Sequence, residues 1–201
     1  MQLQQQRLAD KTSQQPTSLS TASQLLKRSA TYSLIAVICA AYLVQMVVPD
    51  LQQDLMLPSI EYLQFSNEWY RLFTVALTHA GLLHLGFNMY ALMVLGNPLE
   101  AAFGTQKLLL VFFISLLTGS LASSYFASLY SYSVGASGAV FGLFGAMVIV
   151  GNKIGADIRS IVVIIGINFF IGFALGGVDW RAHLGGLIGG VVAAQLVMSK
   201  R

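Results

Sequence analysis

The sequence predicts an all-α membrane protein of six transmembrane helices with both termini in the cytoplasm. Composition, run length and charge placement each contribute to that expectation. Hydrophobic residues make up 56% of the 201 residues, charged residues only 9%, and the mean hydropathy is +0.70. A soluble domain of this size could not cover itself with polar surface from such a composition. A helix needs about 20 apolar residues to cross a bilayer, and candidate runs lie at about 30–48, 82–95, 108–130, 138–150, 161–175 and 182–198. Alternating sides from a cytoplasmic amino terminus puts Arg7, Lys11, Lys27, Arg28, Lys107, Lys153, Arg159, Lys200 and Arg201 inside and only Arg71 and Arg181 outside. That distribution obeys the positive-inside rule.

Residues 1–29 are rich in Gln and Ser, with almost no apolar clustering, and read as a mobile cytoplasmic tail with no assigned chemistry. The tail is not expected to be a secretory signal, because the apolar region begins too late and five more runs follow. The first run, 30–48, carries the single cysteine, Cys39, so no intrachain disulfide is expected. Residues 49–78 mix Leu51, Met56, Leu57, Ile60, Tyr62, Leu63, Phe65, Trp69 and Tyr70 irregularly with Asp50, Asp54, Glu61 and Glu68. Such a mixture suits a loop or short helices lying in the outer membrane interface.

The second and fourth runs are short for a bilayer, so each is expected to extend at one end through polar residues held inside the bundle. Those ends are His79, His84 and Asn88 for the second run and residues 133–137 for the fourth. The sixth run opens on Ala182-His183.

Ionisable and polar groups at membrane depth are costly and therefore functional candidates. His84 and Asn88, four residues apart, share one helix face, with His79 just above them. Ser137 heads the fourth run inside Gly135-Ala136-Ser137-Gly138-Ala139, and the third histidine, His183, heads the sixth. Gly138 and Gly142 are spaced i, i+4 on the fourth run, and Gly186 and Gly190 are spaced likewise on the sixth. Small residues at that spacing let helix backbones approach closely in lipid, which would bring the Ser137 hydroxyl and the His183 imidazole towards hydrogen-bond reach, about 3 Å. The bland alternative is that these glycines only assemble the bundle and the histidines only pack.

With these residues in that order the chain resembles the rhomboid family of intramembrane serine proteases. The likeness runs from about residue 30 to the end and rests on the His79, His84, Asn88 cluster, the Gly135-x-Ser137-Gly138 turn and Ala182-His183-x-x-Gly186-x-x-x-Gly190. Tyr70-Arg71 also looks like the family's Trp-Arg pair in the first loop. The resemblance implies the six-helix rhomboid bundle over residues 30–201, with Ser137 as nucleophile, His183 as general base, and His84 and Asn88 helping to hold the oxyanion. It further implies that single-span membrane proteins are cut near the outer end of their transmembrane segment, in a cell inner membrane with the active site opening to the periplasmic side.

The chemistry of the residues agrees with those roles. A serine hydroxyl is a weak nucleophile until a base takes its proton, and an imidazole can do so near neutral pH. A helix start at Ser137 would offer free N–H groups to a developing oxyanion. None of the eight acids falls within a predicted apolar run, so a Ser-His dyad is the simpler expectation than a triad. Phe141, one turn after Ser137, could stack on the His183 ring where the family often has tyrosine, and Asp179 is the rival orienter. No cofactor and no metal is expected, since the chain lacks a His-Glu-x-x-His motif. The other readings are a catalytically silent rhomboid-like protein that binds membrane clients, and a transporter using His79, His84 and Asn88 as a polar pathway. The first would be expected to have lost Ser137 or His183; the second lacks paired broken helices and a buried acid.

Overall fold

The computed structural model describes residues 29–174 and 177–199. The expected tail lies outside the described residues except for Ser29. The described chain is helical, with one isolated antiparallel bridge between Leu57 and Ser133. In chain order the helices are α1 (Ala30–Val47), α2 (Leu51–Leu55), α3 (Ile60–Ser66), α4 (Arg71–Thr74, continued by a 3₁₀ turn, Val75–Leu77), α5 (Leu82–Phe103), α6 (Thr105–Phe126), α7 (Ser137–Val150, continued by a 3₁₀ turn, Gly151–Ile154), α8 (Ile158–Ala174) and α9 (Trp180–Ser199).

Among the described residues four helical stretches are long and apolar enough to cross a membrane: α1, α6, Ser137–Ile154 and α9. A fifth arises if Arg71–Leu77 and α5, which meet at a 99° bend, are taken as one broken span. α8, at 17 residues, is apolar but shorter. The chain is thus an all-helical integral membrane protein.

Each predicted run coincides with a helix, but two of the expected extensions go the other way. α5 does not lengthen through His79; it starts at Leu82 and continues past Leu95 to Phe103, through Gly96, Asn97, Pro98 and Glu100. Those residues face protein rather than lipid. A Cβ at Gly96 would lie 2.8 Å from Thr31 Oγ1, and Asn97 Nδ2 donates to Tyr32 Oη at 3.2 Å. Glu100 accepts from Ser29 Oγ at 2.7 Å, Ala30 N at 2.6 Å, Thr31 N at 3.1 Å and Thr31 Oγ1 at 2.8 Å. A carboxylate on the unpaired N–H groups that begin α1 is the favoured arrangement for a helix start. Glu100 lies beyond the predicted run and serves the start of α1, so it offers His183 no orienting acid. Likewise α7 begins only at Ser137, and the segment before it is extended rather than helical.

The first loop is a compact cap of short helices. Arg71, almost wholly buried, is its centre: it donates to Gln53 O at 2.5 Å and Met56 O at 3.0 Å and pairs with Glu68 at 2.7 Å. Serines on one face of α6 hold the cap down, Ser120 Oγ donating to Leu72 O at 2.8 Å and Ser124 Oγ to Pro58 O at 2.8 Å. Burying each hydroxyl against a loop carbonyl satisfies both groups where water is scarce. The centre of the bundle is the mutual packing of α6, α7 and α9, and α7 is the most enclosed of the three. Lipid-facing positions such as Leu83, Phe87 and Phe173 are exposed and apolar.

Candidate functional site

Ser137 is the first residue of α7, so its hydroxyl stands among backbone N–H groups that have no intrahelical acceptor. The chain reaches it through an extended segment fixed at two points. Leu57 and Ser133 exchange backbone bonds of 2.9 and 2.8 Å, and Gly135 N donates to Val75 O at 3.0 Å. Gly135 has φ +113°, and a Cβ there would lie 2.7 Å from His84 Cε1. Backbone conformation and the neighbouring imidazole both require glycine at that position.

His183 lies in the first turn of α9 and is buried. Its ring stacks on Phe141, centroids 3.8 Å apart and planes 11° apart, and meets Phe169 of α8 edge-on at 6.4 Å. Phe141 follows Ser137 by one turn on the same face of α7. Below this stack α7 and α9 meet backbone to backbone: a Cβ at Gly186 would fall on Gly138 O, and one at Gly190 on Gly142 O. The two predicted glycine faces are therefore partners. They are not equivalent, because a Cβ at Gly138 would make only ordinary contact, 3.4 Å, with Ala182 O.

The helices that carry Ser137 and His183 thus meet through the Phe141–His183 stack, the approach of Gly138 to Ala182 O and the contact of Gly186 with Gly138 O. Among the described residues no hydrogen bond joins the Ser137 hydroxyl to the imidazole, and His183 Nδ1 has no partner. The expected hydrogen bond between them is therefore not present in this structure. Asp179 does not orient the ring. Its carboxylate accepts from Ala182 N at 3.2 Å and from Ser123 Oγ at 2.5 Å instead.

His84 lies in the first turn of α5, against Gly135 on the approach to Ser137. Asn88, buried one turn further along the same face, donates to His84 O at 2.9 Å, which uses one of its two N–H groups. His79 is not on this helix. It sits in the turn before α5, fully buried, its ring 5.1 Å from that of His84 and 6.5 Å from that of Tyr42.

Two contributors escaped the sequence reading, Gln45 and Ser123; Asp179 was singled out there, but as an orienter of the ring rather than as the cap of α9 bonded to Ser123. Gln45 binds the His79 backbone in both directions, donating to His79 O at 2.8 Å and accepting from His79 N at 3.2 Å. Its signal was available as a lone amide within Leu43-Val44-Gln45-Met46-Val47, a costly placement for an unpaired polar group in lipid.

Comparison with known proteins places this geometry in context. The profile of the Rhomboid domain matches residues 66–200. The chain is 42% identical to rhomboid protease GluP of Bacillus subtilis over 136 residues, 64% of this chain and 26% of GluP. It is 34% identical to the putative rhomboid protease YdcA of the same organism over 141 residues, 68% of this chain and 71% of YdcA. RHOMBOID-like protein 1 of Arabidopsis thaliana is 43% identical over 132 residues, 62% of this chain and 33% of that protein. The chain therefore spans well under half the length of two of these relatives and most of the third.

Proposed function

The chain belongs to the rhomboid family, and from that premise we propose that it is an intramembrane serine endopeptidase acting through a Ser137–His183 dyad on single-span membrane proteins. The observation that carries the reading is the placement of a serine at the start of α7 beside an imidazole on α9 that is stacked on Phe141. His183 takes the Ser137 proton as Oγ attacks the scissile carbonyl. The oxyanion meets free N–H groups of the first turn of α7, with the Asn88 amide and His84 as further donors. The imidazolium then protonates the leaving amine, and water admitted through the same base releases the acyl group. Phe141 holds the ring from its face in place of a hydrogen-bonded acid.

In this reading α1, α5, α6, α7, α8 and α9 are six spans over residues 30–201, both termini are cytoplasmic, and residues 49–78 lie in the outer interface of a cell inner membrane. Ser137 and His183 then open to the periplasmic side. The charge distribution supports that orientation. A helical substrate hides its carbonyls in hydrogen bonds, and unwinding it in hydrocarbon leaves groups unsatisfied. Cleavage is accordingly assigned near the outer end of the substrate's span, beside a small residue and close to a Gly or Pro.

The test is labelling by a serine-directed fluorophosphonate together with cleavage of a panel of single-span substrates, in the native protein and in Ser137→Ala and His183→Ala. Both activities are expected to vanish in each variant, the double variant being no worse than either alone. Turnover by Ser137→Ala above background rejects the dyad.

A further inference from the structure

His183 Nδ1 meets no acid among the described residues, yet an acid, Asp179, stands four residues before it, at the start of the same helix. Asp179 immediately precedes α9 and makes three bonds there. Its backbone carbonyl accepts from His183 N at 3.2 Å, Oδ1 accepts from Ala182 N at 3.2 Å, and Oδ2 accepts from Ser123 Oγ at 2.5 Å. The first is the opening intrahelical bond of α9 and the second is a side-chain cap, for which Asp is a favoured residue. The third has another purpose, because Ser123 is on α6, 56 residues away, and is itself buried. It ties the start of α9 sideways to the centre of the bundle. His183 N accepts no slack from this arrangement: its own amide is bonded to the residue that is tied.

Among the described residues no hydrogen bond holds the His183 ring through Nδ1. Glycines bring α9 closest to α7 from Gly186 onward, and one turn earlier Ala182 O packs beside Gly119 of α6 and Gly138 of α7, but His183 stands in the first turn of α9, where the helix itself holds its backbone least. We propose that the Ser123–Asp179 bond is a positioning device that sets the height and rotation of His183 relative to Ser137, so that the chain orients its base through the backbone of α9 rather than through the imidazole. The proposal rests on the Ser137–His183 reading. Asp179 and Ser123 are positioning residues and touch neither substrate nor the reacting atoms.

The experiment compares Ser123→Ala, Ser123→Thr, Asp179→Ala and Asp179→Asn, with the Ser123→Ala/Asp179→Ala double variant, in the full chain in detergent and in liposomes. The readouts are kcat and KM for a single-span substrate, the rate of fluorophosphonate labelling, and Tm. Ser123→Ala and Asp179→Ala are expected to lower kcat and the labelling rate about ten- to a hundredfold at temperatures well below their Tm, with KM little changed, which is the scale of a misplacement near 1 Å. The double variant is expected to match the single ones, because the two residues act as one unit. Ser123→Thr and Asp179→Asn keep the hydroxyl and the accepting oxygen and are expected to recover most of the rate. Wild-type kcat and labelling in Ser123→Ala, with only Tm lowered, would show that the bond merely stabilises the fold and would overturn the proposal. Should Asp179→Ala fail to fold, Ser123→Ala and its threonine rescue still decide. Labelling of native protein that persists in Ser137→Ala sinks the dyad reading itself, and is distinguishable from a wild-type labelling rate in the tether variants.

Discussion

Phe141 lies face to face with His183, their rings 3.8 Å apart and nearly parallel. The carboxylate nearest in sequence, Asp179, is meanwhile committed to Ala182 N and Ser123 Oγ. An aromatic face restrains the tilt of an imidazole without using either of its nitrogens as a hydrogen-bonding group.

That arrangement predicts a separation of roles at position 141. Phe141→Leu, which keeps volume but loses the aromatic face, is expected to lower kcat roughly two- to tenfold, the scale of a stacking contact of about 0.5–1.5 kcal/mol. Phe141→Tyr keeps the stack and is expected to stay near wild type. Steady-state kinetics check this; a change in KM alone would mean that the ring packs against substrate instead.

The glycines predict an asymmetry that a count of small residues would miss. Gly186→Ala puts a methyl onto the backbone of Gly138 and must push α9 away from α7, whereas Gly138→Ala meets Ala182 at an ordinary distance. The expected cost of the first is about 1–3 kcal/mol and of the second much less, read as Tm in detergent. Equal losses would contradict the packing described.

Glu100 predicts a stability effect separated from chemistry. Removing its carboxylate strands the donors of Ser29, Ala30 and Thr31 at the start of α1. Glu100→Ala is expected to cost about 1.5–3 kcal/mol, with Glu100→Gln in between, measured by Tm. Activity per folded molecule should persist, because His84 is sixteen residues away on the same helix, about 24 Å along its axis.

The charge pattern predicts topology. Tags at either terminus are expected to resist protease added from the outer side, while cysteines placed between residues 50 and 69 are labelled from that side. External accessibility of both termini reverses the orientation.

The apolar runs were legible as helices because lipid demands long apolar stretches, and the candidate site residues were singled out because a polar group in such a run is rare enough to stand out. What escaped was decided by partners far off in sequence. α5 runs through Gly96, Asn97 and Glu100 only because Thr31, Tyr32 and the start of α1 receive them. Gln45 and Ser123 gain their meaning from His79 and Asp179, 34 and 56 residues away. Spacing along one helix reveals a shared face; it cannot say what that face meets.

The contact of Gly186 with Gly138 and of Gly190 with Gly142 has a thermodynamic consequence. Glycine has no rotamers to surrender, so joining these two helices forfeits no side-chain entropy at the contact. Nor can the contact relax by switching rotamers, as a leucine seam would on warming. The spacing of the helices that carry Ser137 and His183 is therefore fixed by two main chains touching, and repacking of side chains elsewhere in the bundle should leave that spacing unaltered.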